Sequence, residues 1–107
     1  MNELTKRGEA FEDKFAHEEA LLFKAIARRN KLLGLWAAQR LGKLGADAET
    51  YASTVVIAYL EEPGDEDVVG KVVSDLRTAG VPSDEGQVRR ALEEFMVRAT
   101  DEIKAGL

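Results

Sequence analysis

The sequence has no cysteine, so neither a disulfide framework nor a thiolate metal site can form. It has one histidine, His17, without a cysteine partner, and only three serines, so a nucleophile–base pair is not expected and His17 reads as solvated or capping. No apolar run is long enough to cross a bilayer, and no basic-then-apolar leader opens the chain. Direct membrane insertion is therefore not expected, and a cytoplasmic location is. A net charge of −5 argues against nucleic acid and anionic lipid as partners. The "ARRNK" stretch could suggest RNA, but no aromatic stacking platform accompanies it. "GKLG" (residues 42–45) lacks the upstream glycine and the hydroxyl residue of a phosphate loop. "EEPGDED" (residues 61–67) lacks the spaced ligands of a calcium loop and reads as an acidic turn. The expectation is a protein without catalytic residues, metal or cofactor. Its 107 residues suit one domain with one modest core.

What the chain does have is helical spacing. From about Glu18 to Leu41, the residues Leu21, Leu22, Ala25, Ile26, Leu32, Leu33, Trp36 and Ala37 fall on one broad face. "GKLG" then stops the helix. A second segment opens with Asp47 as N-cap and places Ala48, Tyr51, Ala52, Val55, Val56 and Tyr59 at three- and four-residue spacing. Its centre, "TVVIAYL", also suits a strand, but nothing else in the chain offers a strand partner. Asp65 caps a third helix, which turns Val68, Val69, Val72, Val73 and Leu76 inward and ends at Gly80 and Pro82. Ser83 caps a fourth, with Val88, Ala91, Leu92, Phe95, Met96, Ala99 and Ile103 along its stripe. The spacing predicts an all-α fold, a small four-helix bundle with a mobile N-terminal helical arm. The division is residues 1–17 as the arm and 18–107 as the globular domain.

Charge is arranged in blocks. Ala20–Ala46 holds six bases and no acid, and Asp47–Gly70 holds seven acids and no base. Such blocks predict a basic segment lying beside an acidic one, or each facing a charged partner. Arg29 and Arg40, eleven residues apart, both project near the middle of the apolar stripe of the first helix. Arginine in such a place is normally paired. The preferred reading is that both bond acids or carbonyls from the second helix or the acidic turn. The other is an anion or partner contact. Trp36 is expected in the core, and Gly34 is expected to let a neighbouring helix approach closely.

The arm differs from the rest. Its seam, Leu4, Gly8, Phe11 and Phe15, is one residue wide and meets Glu18 and Glu19 at the next turn. Gly8 weakens a helix by about 1 kcal/mol relative to alanine. Burying two phenylalanines contributes roughly 1.5–3 kcal/mol each. Ordering the backbone costs about 1–2 kcal/mol per residue over some fifteen residues. Residues 1–17 are therefore expected to be mobile or only nascently helical in the free chain. They have the makings of a segment that folds against another surface, with the rings as anchors. The plainer alternative is that both rings fold back onto the bundle.

Ala10–Gly42, "AFEDKFAHEEALLFKAIARRNKLLGLWAAQRLG", resembles the signature of the ATPase inhibitor zeta subunit family. Glu61–Leu76, "EEPGDEDVVGKVVSDL", is similar to its second signature. The resemblance implies a four-helix protein that binds the catalytic head of the rotary proton-driven ATP synthase and blocks ATP hydrolysis. It implies an N-terminal segment that becomes helical as it inserts at a catalytic interface between alpha and beta subunits. The matching positions are Phe11, Glu12, Lys14, Phe15, Ala16 and His17, and Leu4 and Arg7 join them as expected partner contacts. The chain is then a monomer when free and peripheral at the inner membrane when bound. The competing reading is a helical interaction module that binds a nucleotide, another anion or a protein through Arg28, Arg29 and Lys31, without inhibiting anything.

Overall fold

The computed structural model describes the backbone from Asn2 and the side chains from His17 to Leu107. Four helices follow one another: α1 (Asn2–Arg40), α2 (Gly45–Glu61), α3 (Asp65–Thr78) and α4 (Glu85–Lys104). No strand occurs among the described residues, and "TVVIAYL" is helical within α2. The segment read as helix from Glu18 is thus the C-terminal part of a longer α1. The expectations for the arm's side chains, residues 1–16, lie outside the described residues.

The core forms where the apolar stripes meet. Leu33, Ala37 and Ala38 of α1 pack with Tyr51 and Val55 of α2, the four valines and Leu76 of α3, and Val88, Ala91 and Leu92 of α4. Trp36, Phe95 and Tyr59 are partly buried and close its edges. Helix α1 is the common neighbour and touches all three others. Gly34 is the close-approach point between α1 and α2. A Cβ built there would lie 2.5 Å from the Ala52 Cα, so any side chain would push the helices apart.

Helix ends follow simple rules, with corrections to the expected caps. Helix α1 closes as the Gly42 N–H donates to the Gln39 carbonyl and Lys43 N–H to Ala38, with Gly42 at φ +77. Helix α3 closes the same way through Gly80. At the starts, Asp47 and Asp65 do not cap. Leu44 and Gly64 occupy the cap positions, without a side-chain hydrogen bond, and both aspartates sit in the first turn. There a carboxylate is stabilised by the helix dipole without bonding a backbone N–H. Asp84, not Ser83, caps α4: its carboxylate accepts from Gln87 N–H at 2.7 Å. The Ser83 hydroxyl is buried without a partner. Asp84 satisfies an orphan N–H and also places a charge on the dipole, which serine cannot do.

Polar links lock the helices together. Tyr51 donates its hydroxyl proton to Asp75 at 2.8 Å, and Lys71 donates to the same oxygen at 2.9 Å. Burial, and then the bond to Asp75, hold the Tyr51 phenol well above its ordinary pKa. Arg89 of α4 bridges Glu85 on its own helix and Glu66 on α3.

Candidate functional site

The sequence nominates two surfaces. Leu4, Arg7, Phe11, Glu12, Lys14, Phe15 and Ala16 lie outside the described side chains. His17, the last of that set, is exposed on α1.

Arg28, Arg29 and Lys31 are described, and each meets an acid. Arg29 is 5% exposed and places its Nη2 3.0 Å from an Asp65 oxygen at the start of α3. The N–H does not point at that oxygen, so the contact is an ion pair rather than an aligned hydrogen bond. Its Nε donates to the Asn30 side-chain oxygen at 3.1 Å, and its guanidinium lies 5.8 Å from the centre of the Tyr59 ring. Asp65 belongs to the acidic turn, so the paired reading of Arg29 holds. Arg28 donates to the Leu107 carbonyl at 2.8 Å and lies 3.6 Å from Glu102. Lys31 lies 3.5 Å from Glu49. The basic block therefore faces the acidic block through Arg29 and Lys31, while Arg28 turns to α4. The three cations do not share an environment: Arg29 is inside and Lys31 is on the surface.

Arg40 departs from its expected pairing. It is exposed and stacks on the Trp36 ring at 4.3 Å from the centroid, with no acidic partner among the described residues. Four residues separate the two on one helix face, which puts the ring within reach of the guanidinium.

Leu22 also departs from its inward assignment. It is 53% exposed, and its neighbour Phe23 is 55% exposed. The α1–α2 register explains this. Counted from the Gly34–Ala52 contact, Leu22 falls opposite residue 64, beyond the end of α2 at Glu61. Two grooves flank the pair. Leu21, Leu22, Ala25 and Ile103 line one of about 220 Å³, and Phe23, Ala27, Val56 and Ile103 lie in one of about 470 Å³. Lys24, Arg28 and Lys31 stand at the second. Sequence reasoning gave Phe23 no role. The signal available was the spacing of Leu22, seven residues after Phe15 and so on the same helix face.

Among the described residues, no group of three or more histidine, aspartate or glutamate side chains converges as metal ligands would, and no helix is long and apolar enough to cross a membrane.

The family model of ATPase inhibitor subunit zeta matches residues 1–102. The chain belongs to this family of ATPase inhibitors. The match takes in both the N-terminal segment and the bundle, including the Arg29, Gly34 and Asp65 positions that fix α1 against its neighbours. A chain solved by solution NMR is 47% identical, with a TM-score of 0.69. The alignment covers 79% of this chain and 96% of that one. A comparison with curated proteins finds no match.

Proposed function

We propose that the protein is a regulatory inhibitor of ATP hydrolysis by the rotary proton-translocating ATP synthase. The observation that carries this reading is the match to the inhibitor family over residues 1–102, which spans the arm and the bundle together. The N-terminal segment inserts at a catalytic interface between alpha and beta subunits of the head. Phe11 and Phe15 are its anchors, and Leu4 and Ala16 extend the same contact. Glu9, Glu12, Asp13 and Lys14 set register and rim contacts rather than affinity, and Arg7 and His17 are further partner contacts. An interface that opens and closes with rotation offers the segment its full contact area in one state only. Preferential binding to that state stalls the cycle. The bundle, residues 18–107, is the rigid body to which the segment is attached. The partner is the catalytic head, reached from the cytoplasmic side of the membrane.

The packing of the bundle fits this role better than a free anion site does. Of the three cations considered for an anion, Arg29 is buried against Asp65, and Arg28 and Lys31 each face a glutamate. The test is ATP hydrolysis by the purified catalytic head, titrated with the intact chain and with a chain beginning at Glu18. Saturable inhibition by the intact chain alone is the expected result. Equal effects of the two chains, or none from either, overturn the reading.

A further inference from the structure

Resting on the inhibitor reading, we propose that the bundle carries a second contact for the same partner. The exposed pair Leu22 and Phe23, with Lys24 and Lys31 beside it, docks an acidic segment bearing apolar anchors on the catalytic head. Four observations support this surface. First, two adjacent large apolar side chains are more than half exposed, and each borders a groove. The grooves share Ile103, so the apolar surface runs on from one to the other between α1 and the C-terminal part of α4. Second, the Phe23 groove has a basic rim. Lys24, Arg28 and Lys31 line it without an acid, and Lys24 has no ion pair among the described residues, while the Leu22 groove carries one acid, Glu18, and one base, Lys104. A basic rim around an apolar floor complements an acidic amphipathic segment. Third, the surface continues the arm. Leu22 is two turns after Phe15 on one helix face, about 10 Å along the axis. An arm bound as a helix brings Leu22 to the edge of the surface that holds Phe15. Fourth, the same charge disfavours a rim-to-rim contact between two copies, because the two basic rims would face each other with like sign.

The test measures binding of the full chain to the purified catalytic head for four versions: wild type, L22Q/F23Q, F11A/F15A, and the four substitutions combined. Leu22 and Phe23 lie outside the buried core, so the melting temperature of L22Q/F23Q serves as the folding control. L22Q/F23Q is expected to weaken binding about tenfold. F11A/F15A is expected to keep a residual affinity that the combined variant loses. K24E/K31E is expected to weaken binding and flatten its dependence on salt.

If L22Q/F23Q binds as tightly as wild type, this inference falls and the arm reading stands. If L22Q/F23Q weakens binding but F11A/F15A does not, the arm reading falls and this surface stands. No binding by wild type removes both. Self-association in sedimentation that L22Q/F23Q abolishes would make the face a contact between copies and overturn the proposal. So would a titration with ATP alone that perturbs Lys24 and Lys31 while L22Q/F23Q leaves head binding intact.

Discussion

Gly34 of α1 and Ala52 of α2 lie so close that a methyl group on Gly34 would sit 2.5 Å from the Ala52 Cα and 3.2 Å from its carbonyl oxygen. The obstacle is backbone, which cannot rotate away as a side-chain end can. Gly34→Ala would gain about 1 kcal/mol of helix propensity. The forced separation of α1 and α2 costs more, about 1–3 kcal/mol as overpacking and toward the upper end against backbone. A net loss of stability in urea melts is expected. Gly70 gives the matched control, because a Cβ there meets nothing within 4 Å. Gly70→Ala should stabilise the bundle by several tenths of a kcal/mol to about 1 kcal/mol.

Ser83 and Asp84 separate capping from mere proximity to a helix start. Asp84→Ala removes the bond to Gln87 N–H and should cost about 1 kcal/mol. Ser83→Ala removes a buried hydroxyl without a partner and should be neutral or slightly stabilising. Thermal melts of the two variants check the contrast, and equal losses would contradict it.

Tyr51 predicts a stability loss at high pH. Its folded pKa is raised above the unfolded value near 10, so the folded state favours the protonated phenol. The stabilisation is fully present below pH 10 and is lost as pH rises through and beyond that value. Tyr51→Phe should cost about 0.5–1.5 kcal/mol at neutral pH, the net worth of one hydrogen bond. It should also remove part of the alkaline decline, which denaturant melts from pH 8 to 11 would show.

Asp65 is 54% exposed, yet its loss should matter more than a surface substitution normally does. Asp65→Ala leaves the Arg29 guanidinium buried with only the Asn30 oxygen and the Tyr59 ring for company. About 1–3 kcal/mol is expected, below the value for a fully buried pair because the carboxylate is partly solvated. A change within 0.5 kcal/mol would show that Arg29 is held by Asn30 and packing alone.

How far the sequence could be read depended on whether one helix sufficed to decide a position. The four helices, the inward valines of α3 and the α4 stripe follow from periodicity within each segment. Gly34 was legible because a glycine inside a strong apolar stripe needs a neighbour to justify it. Arg29 was legible because the charge blocks supplied its partner. Leu22 was not, because its exposure depends on where α2 ends relative to α1, a register between helices that spacing on one helix does not contain. Arg40 was misread for a related reason: its ring partner Trp36 was assigned to the core and so was not considered as a surface for the cation. The caps of α3 and α4 shifted by one residue because two capping residues stand side by side at each start, and α2 begins three residues early at Leu44, which no capping preference marks. Of the candidate site, the basic residues could be located, but only Arg29 meets the partner named for it, while Arg28 turns to Glu102 and Leu107. The arm's side chains lie outside the described residues, and their contacts are part of the proposal.

The central claim is that Phe11 and Phe15 act on a partner and contribute nothing to the bundle. Its most direct test is ATP hydrolysis by the purified catalytic head in the presence of wild-type chain or F11A/F15A, with the melting temperature of each chain measured alongside. The account predicts saturable inhibition by wild type, inhibition abolished in the variant, and coincident melts. Undiminished inhibition by F11A/F15A, or a bundle that melts at lower temperature once the rings are removed, would contradict it.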